Sequence, residues 1–210
     1  EFIFLCLPTP QGADGAADLS FIKAAAGQIG PHLQADSVVI NKSTVPVGSA
    51  GEVQKKLRRD DVHVVSNPEF LREGTAVDDF LNPDRVVIGS DDRGAAERVA
   101  ALYEALPGAT LITDPASAET IKYASNAFLA TKISFVNAMA AVCEEVGADV
   151  SDVVEGMGLD QRIGKLQRMR GGVADATDAR HLRDGADQQG EVGDLCLSVR
   201  AKTLARAAFH

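Results

Sequence analysis

The first half of the chain alternates short apolar runs with segments in which apolar residues recur every three or four positions. Continuous apolar runs before turn residues predict buried strands, and the longer period predicts amphipathic helices. The predicted strands cover residues 1–7, 37–41, 63–66, 86–88 and 110–113. The predicted helices cover residues 18–33, 49–58, 76–81 and 95–106. This alternation predicts an α/β fold with a doubly wound, parallel, Rossmann-like sheet, whose first strand is buried on both faces.

From residue 115 the pattern changes to one long helix that reaches about residue 146 and is followed by a helix near 150–156. A helix of this length bridges domains or forms the spine of a dimer, since ordinary globular helices are much shorter. We therefore predict part of an α/β domain over residues 1–114 and the start of an all-α domain, for dimerisation or for bridging domains, over 115–164. Residues 165–210 have no sustained period, and we predict a disordered or frame-shifted tail. The chain begins within a strand that we predict to be interior, and we therefore expect that a segment precedes it.

The composition is that of a globular protein: 210 residues, 45% hydrophobic, 24% charged, with a net charge of -9. The negative charge disfavours a nucleic-acid partner. Three widely spaced cysteines favour a reducing, cytoplasmic location and predict no zinc site or other metal site. Cys6 and Cys143 lie in apolar patterns and are predicted core residues. No apolar run approaches the ~18 residues of a membrane span, so no membrane partner is expected.

Three loops follow predicted strands, where parallel sheets bind ligands. Residues 8–10, 42–48 and 67–74 form these loops. The second offers the hydroxyl groups of a Ser-Thr pair, and Gly48 would let a ligand approach a helix N-terminus. The third carries two carboxylates and one guanidinium. Each loop also has a plain alternative, a helix cap or an amphipathic turn, and the Lys122–Asn126 pair on one helical face could be simply solvated.

Taken together, the motifs are specific. They read Lys42-Ser-Thr-Val-Pro-Val-Gly48, Asn67-Pro-Glu-Phe-Leu-Arg-Glu-Gly-Thr-Ala76, Pro83-Asp-Arg-Val-Val-Ile-Gly89, Ser117-Ala-Glu119, Lys122-Tyr-Ala-Ser-Asn-Ala-Phe128, Lys132-Ile-Ser-Phe135 and Asp160-Gln-Arg-Ile-Gly164. In this order they resemble the UDP-glucose/GDP-mannose dehydrogenase family across residues 1–164. The Pro-Asp-Arg form resembles the UDP-glucose branch more than the GDP-mannose branch.

The resemblance implies an NAD-dependent, four-electron oxidation of UDP-glucose to UDP-glucuronate in a homodimer. By this likeness Pro8 and Thr9 lie against NAD, and Thr44 contacts NAD and holds a catalytic water that Glu73 helps to activate. Lys122 and Asn126 face the reacting carbon, and Arg162 reaches the substrate of a partner subunit. The residues implied to line the sugar nucleotide are Glu69, Phe70, Leu71, Arg72 and Glu73. Alternatives are a related GDP-mannose or UDP-N-acetyl-sugar dehydrogenase, or a non-catalytic remnant that only dimerises or binds nucleotide sugar.

Two departures from the family pattern bear on activity. The Gly-rich strand-turn-helix that holds the NAD pyrophosphate is not found in this sequence. The family nucleophile is a cysteine in a Gly-Gly-Ser-Cys-Phe-Pro-Lys-Asp type of motif, whereas this chain has Gly171-Gly-Val-Ala-Asp175. Cys196 lies in the wrong context to replace that cysteine. We therefore expect this chain to be inactive in the complete reaction.

Overall fold

The computed structural model describes residues 1–10, 12, 17–72 and 74–164. The strands are β1 (Phe2–Leu5), β2 (Val38–Asn41), β3 (His63–Ser66), β4 (Arg85–Gly89) and β5 (Ala109–Thr113). The α-helices are α1 (Ser20–Ile29), α2 (Ser49–Leu57), α3 (Ala76–Leu81), α4 (Arg93–Leu102), α5 (Pro115–Val146) and α6 (Val150–Gly158). A short 3₁₀ helix, Gly30–His32, follows α1. The predicted order of elements and the long helix over 115–146 are confirmed.

The predicted helix over 18–33 is shorter in the structure, since α1 ends at Ile29 and continues as the 3₁₀ turn. Pro31 lies in that turn and has no backbone N–H to donate to an α-helical hydrogen bond. Helix α4 ends at Leu102 and not at 106, and the Tyr103 amide closes the helix by donating to the carbonyl oxygen of Ala100.

The sheet has the order β1-β2-β3-β4-β5. Strands β1, β2 and β3 are parallel to one another, and β4 is parallel to β5. Between these two groups, β3 and β4 are antiparallel and share a single residue pair, Ser66 with Gly89. The prediction of a wholly parallel sheet is wrong at this point. The connection contains only the six-residue helix α3, none of whose residues is buried, so it lacks a buried crossover helix of the kind that usually joins parallel strands.

Apolar side chains fill both faces of the sheet. On one face Ile22, Val39 and Val53 belong to a cluster between the sheet and helices α1 and α2. On the other face Ile40 and Val99 belong to a cluster with α4. Consecutive residues of β2 thus point to opposite faces, as the period of a strand requires. Helices on both faces confirm the doubly wound, Rossmann-like class.

Strand β1 differs from the sequence prediction. Its described neighbour is β2, and Phe2 and Phe4 are 36% and 43% exposed. The prediction of a strand buried on both faces is therefore wrong, although Leu5 is buried as expected. Cys6 is exposed and not a core residue, whereas Cys143 is buried as predicted.

The chain divides into two compact units. The first contains residues 1–12 and 17–124, and the described part of the second contains residues 125–164. The division falls within α5, whose first turns belong to the first unit. The predicted boundary at residue 114 stays a prediction, and the predicted tail over 165–210 lies outside the described residues.

Helix α5 is 32 residues long, and an 18-residue window in it has a mean hydropathy of 1.3. By length and composition alone this one helix of the described chain could cross a membrane, which the sequence analysis did not anticipate. A single such helix is weak evidence, because helices of soluble proteins pass the same test. The expected absence of a membrane partner stays a prediction.

Candidate functional site

The loops that follow β1 and β2 are joined by hydrogen bonds. The Leu7 amide donates to Ser43 Oγ at 2.9 Å, and that hydroxyl donates to the carbonyl oxygen of Leu5 at 3.3 Å. The Thr9 hydroxyl donates to the carbonyl oxygen of Thr44 at 2.8 Å. Pro8 lies in the first of these loops, so the structure brings three predicted cofactor residues to neighbouring strand ends.

A small open cleft lies next to these loops, within the first unit. Its lining residues come from the ends of β2 and β3, the loops that follow them and the first turns of α5. They are Asn41, Ser43, Val45, Ser66, Pro68, Glu119 and Lys122. The cleft thus lies at the carboxyl ends of parallel strands, where open α/β sheets bind their ligands.

Lys122 contacts the loop that follows β3. Its ammonium donates to the carbonyl oxygen of Glu69 at 2.6 Å and lies 5.4 Å from the centre of the Phe70 ring. The Arg85 guanidinium lies 4.0 Å from the same ring centre. Burial lowers the pKa of Lys122, and the charges of Arg85 and Lys42 act in the same direction against the opposing effect of Glu69. The structure thus brings Lys122, Glu69 and Phe70 together.

Lys42 belongs to a network that the sequence analysis missed. Its ammonium lies 3.3 Å from Asn67 Oδ1, which also accepts a 2.5 Å hydrogen bond from the Tyr103 hydroxyl. The Asn67 amide donates to the carbonyl oxygen of Val87 at 2.8 Å. Burial lowers the pKa of Lys42 and raises the pKa of Tyr103 to about 12. These hydrogen bonds fix the position of Asn67, the first residue of the loop that follows β3.

Arg72 is engaged within its own loop and with α3. Its guanidinium and backbone amide both donate to the Asp79 carboxylate, at 2.5 and 2.8 Å, and Thr75 donates to it at 3.1 Å. These hydrogen bonds hold the pKa of Asp79 well below its usual range. Leu71 is half-buried, and Glu73 lies outside the described residues. A ligand would have to share or displace this ion pair to use the charge of Arg72.

Glu119 is a buried carboxylate whose place in the site the sequence analysis missed. It is 3% exposed and accepts hydrogen bonds from the Gly48 amide at 2.6 Å, the Ala50 amide at 3.0 Å and the Ser66 hydroxyl at 2.9 Å. The start of α2, where Gly48 was expected to admit a ligand, is therefore occupied by a side chain of this protein. The sequence contained one signal for this role: an acidic residue directly after Ala118 in the first turns of α5.

Asn126 and Arg162 belong to the second unit. Asn126 is exposed on α5. Arg162 is exposed and forms an ion pair with Asp160, with Nη2 and Oδ2 2.6 Å apart. Their predicted roles stay predictions. Among the described residues, no group of three His, Cys, Asp or Glu side chains could hold a metal ion.

Asn41 lies at the end of β2 and is 1% exposed. Neither polar atom of its side chain has a hydrogen-bond partner in the described structure, although this residue lines the cleft. Replacing Asn41 with leucine is expected to raise the Tm of the unliganded protein, because an unpaired buried polar group costs about 1–3 kcal/mol. Thermal denaturation measures this effect.

The matched control for that measurement is Asn82→Leu, because the exposed Asn82 amide donates to Asp78 Oδ1 at 3.0 Å. This control is expected to leave the Tm unchanged or slightly lower. A fall in Tm for Asn41→Leu would contradict the prediction.

A doubly wound α/β sheet with hydroxyl groups and half-buried amines at its strand ends is typical of Rossmann-like nucleotide-binding proteins. The chain belongs to the UDP-glucose/GDP-mannose dehydrogenase family. The NAD binding domain of that family matches residues 1–107, and its central domain matches residues 116–208. The central-domain match includes the segment after residue 164. The family resemblance carried by the sequence motifs is confirmed.

Two curated relatives are UDP-glucose 6-dehydrogenases. The chain is 50% identical to TuaD of Bacillus subtilis, over 79% of this chain and 37% of TuaD. It is 45% identical to the enzyme of Pseudomonas aeruginosa, over 96% of this chain and 48% of that enzyme. The chain thus spans less than half of the length of these relatives.

Solved structures show the same fold. The UDP-glucose dehydrogenase of Pyrobaculum islandicum matches with a TM-score of 0.78 and 35% identity, covering 99% of this chain and 51% of that structure. The GDP-mannose dehydrogenase of Pseudomonas aeruginosa matches with a TM-score of 0.73 and 28% identity, covering 94% of this chain and 50% of that structure.

Proposed function

We propose that this chain carries nucleotide-sugar-binding and nicotinamide-binding surfaces of a UDP-glucose 6-dehydrogenase, which oxidises UDP-glucose to UDP-glucuronate with NAD. The observation that carries the proposal is the Lys122 ammonium, held beside Glu69 and Phe70 at the edge of the cleft. A positive charge at this place can stabilise the oxyanion that develops when a sugar hydroxyl group is oxidised. Asn126 is proposed to assist Lys122 from the next turn of α5.

The residues at the ends of β1 and β2 fit the nicotinamide-ribose part of NAD, which does not carry the negative charge of the pyrophosphate. Pro8, Thr9 and Thr44 offer hydroxyl and backbone groups and no charge, and the loops that carry them are hydrogen-bonded to each other. Bound NAD supplies the hydride acceptor of the reaction. The protein's own part is to orient the ring. In an intact family member, the Thr44 hydroxyl, together with Glu73, is proposed to hold the water that hydrolyses the thioester left by the second oxidation.

The sugar nucleotide is proposed to lie along residues 69–73. Phe70, between the charges of Arg85 and Lys122, gives this loop an apolar surface with positive groups beside it. That combination suits a ligand that has both a ring and a diphosphate. Arg72 and Arg162 are proposed contacts, and each must first release or share its present carboxylate partner.

The proposed assembly is a homodimer formed through α5, in which Arg162 reaches the partner's substrate, and the proposed location is cytoplasmic. The alternative substrates are GDP-mannose and UDP-N-acetyl sugars, since a GDP-mannose dehydrogenase is among the structural neighbours. A non-catalytic nucleotide-sugar-binding role is the second alternative, favoured by the sequence Gly171-Gly-Val-Ala-Asp175 at the place of the family cysteine.

Titration calorimetry with the purified 210-residue chain tests the proposal. We expect saturable binding of UDP-glucose and binding of GDP-mannose and UDP-N-acetylglucosamine that is weaker by about tenfold, or ~1.4 kcal/mol. Mass spectrometry after incubation with NAD is expected to detect no UDP-glucuronate, because without the thiol no covalent thioester can form.

Equal or tighter binding of GDP-mannose would favour the alternative substrate. A chain that binds none of the three nucleotide sugars would contradict the proposal. Formation of UDP-glucuronate would contradict the expected inactivity and would require another route for the second oxidation.

A further inference from the structure

Glu119 and Lys122 lie three residues apart on α5, and therefore on neighbouring positions of one helical face. Glu119 holds the loop that ends at Gly48, and Lys122 holds the loop that contains Glu69. Ser66, the last residue of β3, also donates to Glu119. A single turn of α5 thus contacts the segments that follow two neighbouring strands.

The Glu119 carboxylate is stabilised by neutral donors. Two of its three hydrogen bonds come from backbone amides at the start of α2, where the helix dipole is positive. Hydrogen bonds to an ionised group are roughly twice as strong as those between neutral groups. This buried carboxylate therefore occupies the place at which a helix N-terminus would otherwise bind an anion.

We propose that Glu119 is a positioning residue: it holds the 42–48 loop, which carries Thr44, in a fixed position relative to Lys122, and it closes the α2 N-terminus to the phosphate groups of the ligand. The inference rests on the proposed function, because Thr44 and Lys122 are taken to face the same bound molecules. A consequence of this role is that the diphosphate of the ligand does not bind at the N-terminus of α2.

The close contact at Gly89 supports a fixed position for α5. A Cβ atom placed on Gly89 would lie 2.5 Å from Ala118 Cβ and 2.7 Å from the carbonyl oxygen of Asp114. The start of α5 is thus packed directly on the backbone of β4. Glu119 follows Ala118 and is 3% exposed, so its carboxylate has little room to move away from Gly48 and Ala50.

The test is Glu119→Gln, which keeps the size of the side chain, removes its charge and turns an amide group toward backbone amides. Hydrogen exchange measured by mass spectrometry is expected to increase about tenfold in residues 42–50, which corresponds to ~1.4 kcal/mol of lost protection. The exchange of α4 is expected to stay unchanged. UDP-glucose is expected to bind about tenfold more weakly.

The matched control is Glu97→Gln, an exposed carboxylate on α4 that pairs with Arg93. It is expected to change neither exchange in residues 42–50 nor binding. If Glu119→Gln does not fold, Ser66→Ala removes one of the three hydrogen bonds and is expected to give smaller changes of the same sign.

Glu119→Ala provides a second readout that loss of packing alone would not give. Acetate is expected to restore slow exchange in residues 42–50 and UDP-glucose binding, whereas acetamide, which has a similar shape and no charge, is not. Unchanged exchange or unchanged binding in Glu119→Gln would overturn the proposal, and so would equal rescue by acetamide. If the unsubstituted chain fails to bind UDP-glucose, the proposed function fails, and the exchange and rescue measurements still decide the role of Glu119.

Discussion

Replacing Lys122 with methionine is expected to stabilise the unliganded protein at neutral pH and to weaken UDP-glucose binding by at least about tenfold. Burial lowers the pKa of Lys122 below its ordinary value of 10.5, so the folded state holds the ammonium less favourably than the unfolded state does. Methionine has a similar length and removes that cost. It also removes the positive charge that is proposed to face the substrate.

The sign of the pH dependence follows from the direction of the shift. Between the lowered pKa of Lys122 and 10.5, the unfolded chain binds more protons than the folded chain, so the stability contributed by this residue rises with pH. The advantage of Lys122→Met is therefore full at neutral pH and disappears once the pH exceeds 10.5. Lys42 shifts in the same direction. Its charge also acts on Lys122, so the measured difference contains the relief of this repulsion together with the relief of burial.

Urea unfolding at several pH values between neutral and 10.5 measures this difference. The control is Lys55→Met, because the Lys55 side chain is 76% exposed on α2. This control is expected to show neither the pH-dependent gain in stability nor the loss of UDP-glucose binding. A constant difference between Lys122→Met and the unsubstituted protein across the pH range would contradict the argument from burial.

The second large effect is expected at Gly89. Replacing it with alanine would place a Cβ atom 2.5 Å from Ala118 Cβ, 2.7 Å from the Asp114 carbonyl oxygen and 2.9 Å from Pro115 Cα. Two of these are backbone atoms, which cannot rotate away as a side chain can. We expect a loss of about 3 kcal/mol in the free energy of unfolding, at the upper end of the cost of overpacking.

A glycine-to-alanine control is available within the same unit. Gly27 lies in α1, is exposed, and a Cβ atom there would meet nothing within 4 Å. Gly27→Ala is expected to stabilise the protein by up to about 1 kcal/mol, since alanine has the higher helix propensity. Denaturant unfolding measures the free energy of unfolding of both variants. A Gly89→Ala variant as stable as the Gly27→Ala control would contradict the close contact between β4 and α5.

The secondary structure was largely predictable because it is encoded locally. Strand β3 and helices α3 and α5 begin and end where the apolar period predicts. The loops that carry the candidate site were also predictable, since they follow from which segments are strands and from the rule that ligands bind at strand ends.

The contacts between distant segments were not predictable from these patterns. The antiparallel pairing of β3 with β4 depends on how the connection over residues 67–84 returns to the sheet. The engagement of Lys42 with Asn67 and Tyr103 depends on tertiary packing. The ion pair of Arg72 with Asp79 is closer in sequence, but it depends on how the loop folds back on α3. In each case a residue type was visible, but nothing in the local sequence named its partner.

The exposed phenylalanines of β1 illustrate a further limit. An apolar run predicts a strand, but its pattern does not state how many strands lie beside it. Phe2 instead lies near a charge, with the Arg98 guanidinium 5.5 Å from its ring centre.

The two loops of the cleft are held by interactions that respond differently to ionic strength. Arg72 and Asp79 form an ion pair in which the arginine is 65% exposed, and dissolved salt weakens such pairs by screening. The carboxylate of Glu119 is enclosed and bound by uncharged donors, so ions in solution have little access to it. Concentrated salt should therefore loosen the segment after β3 at Arg72 while the segment after β2 keeps its conformation.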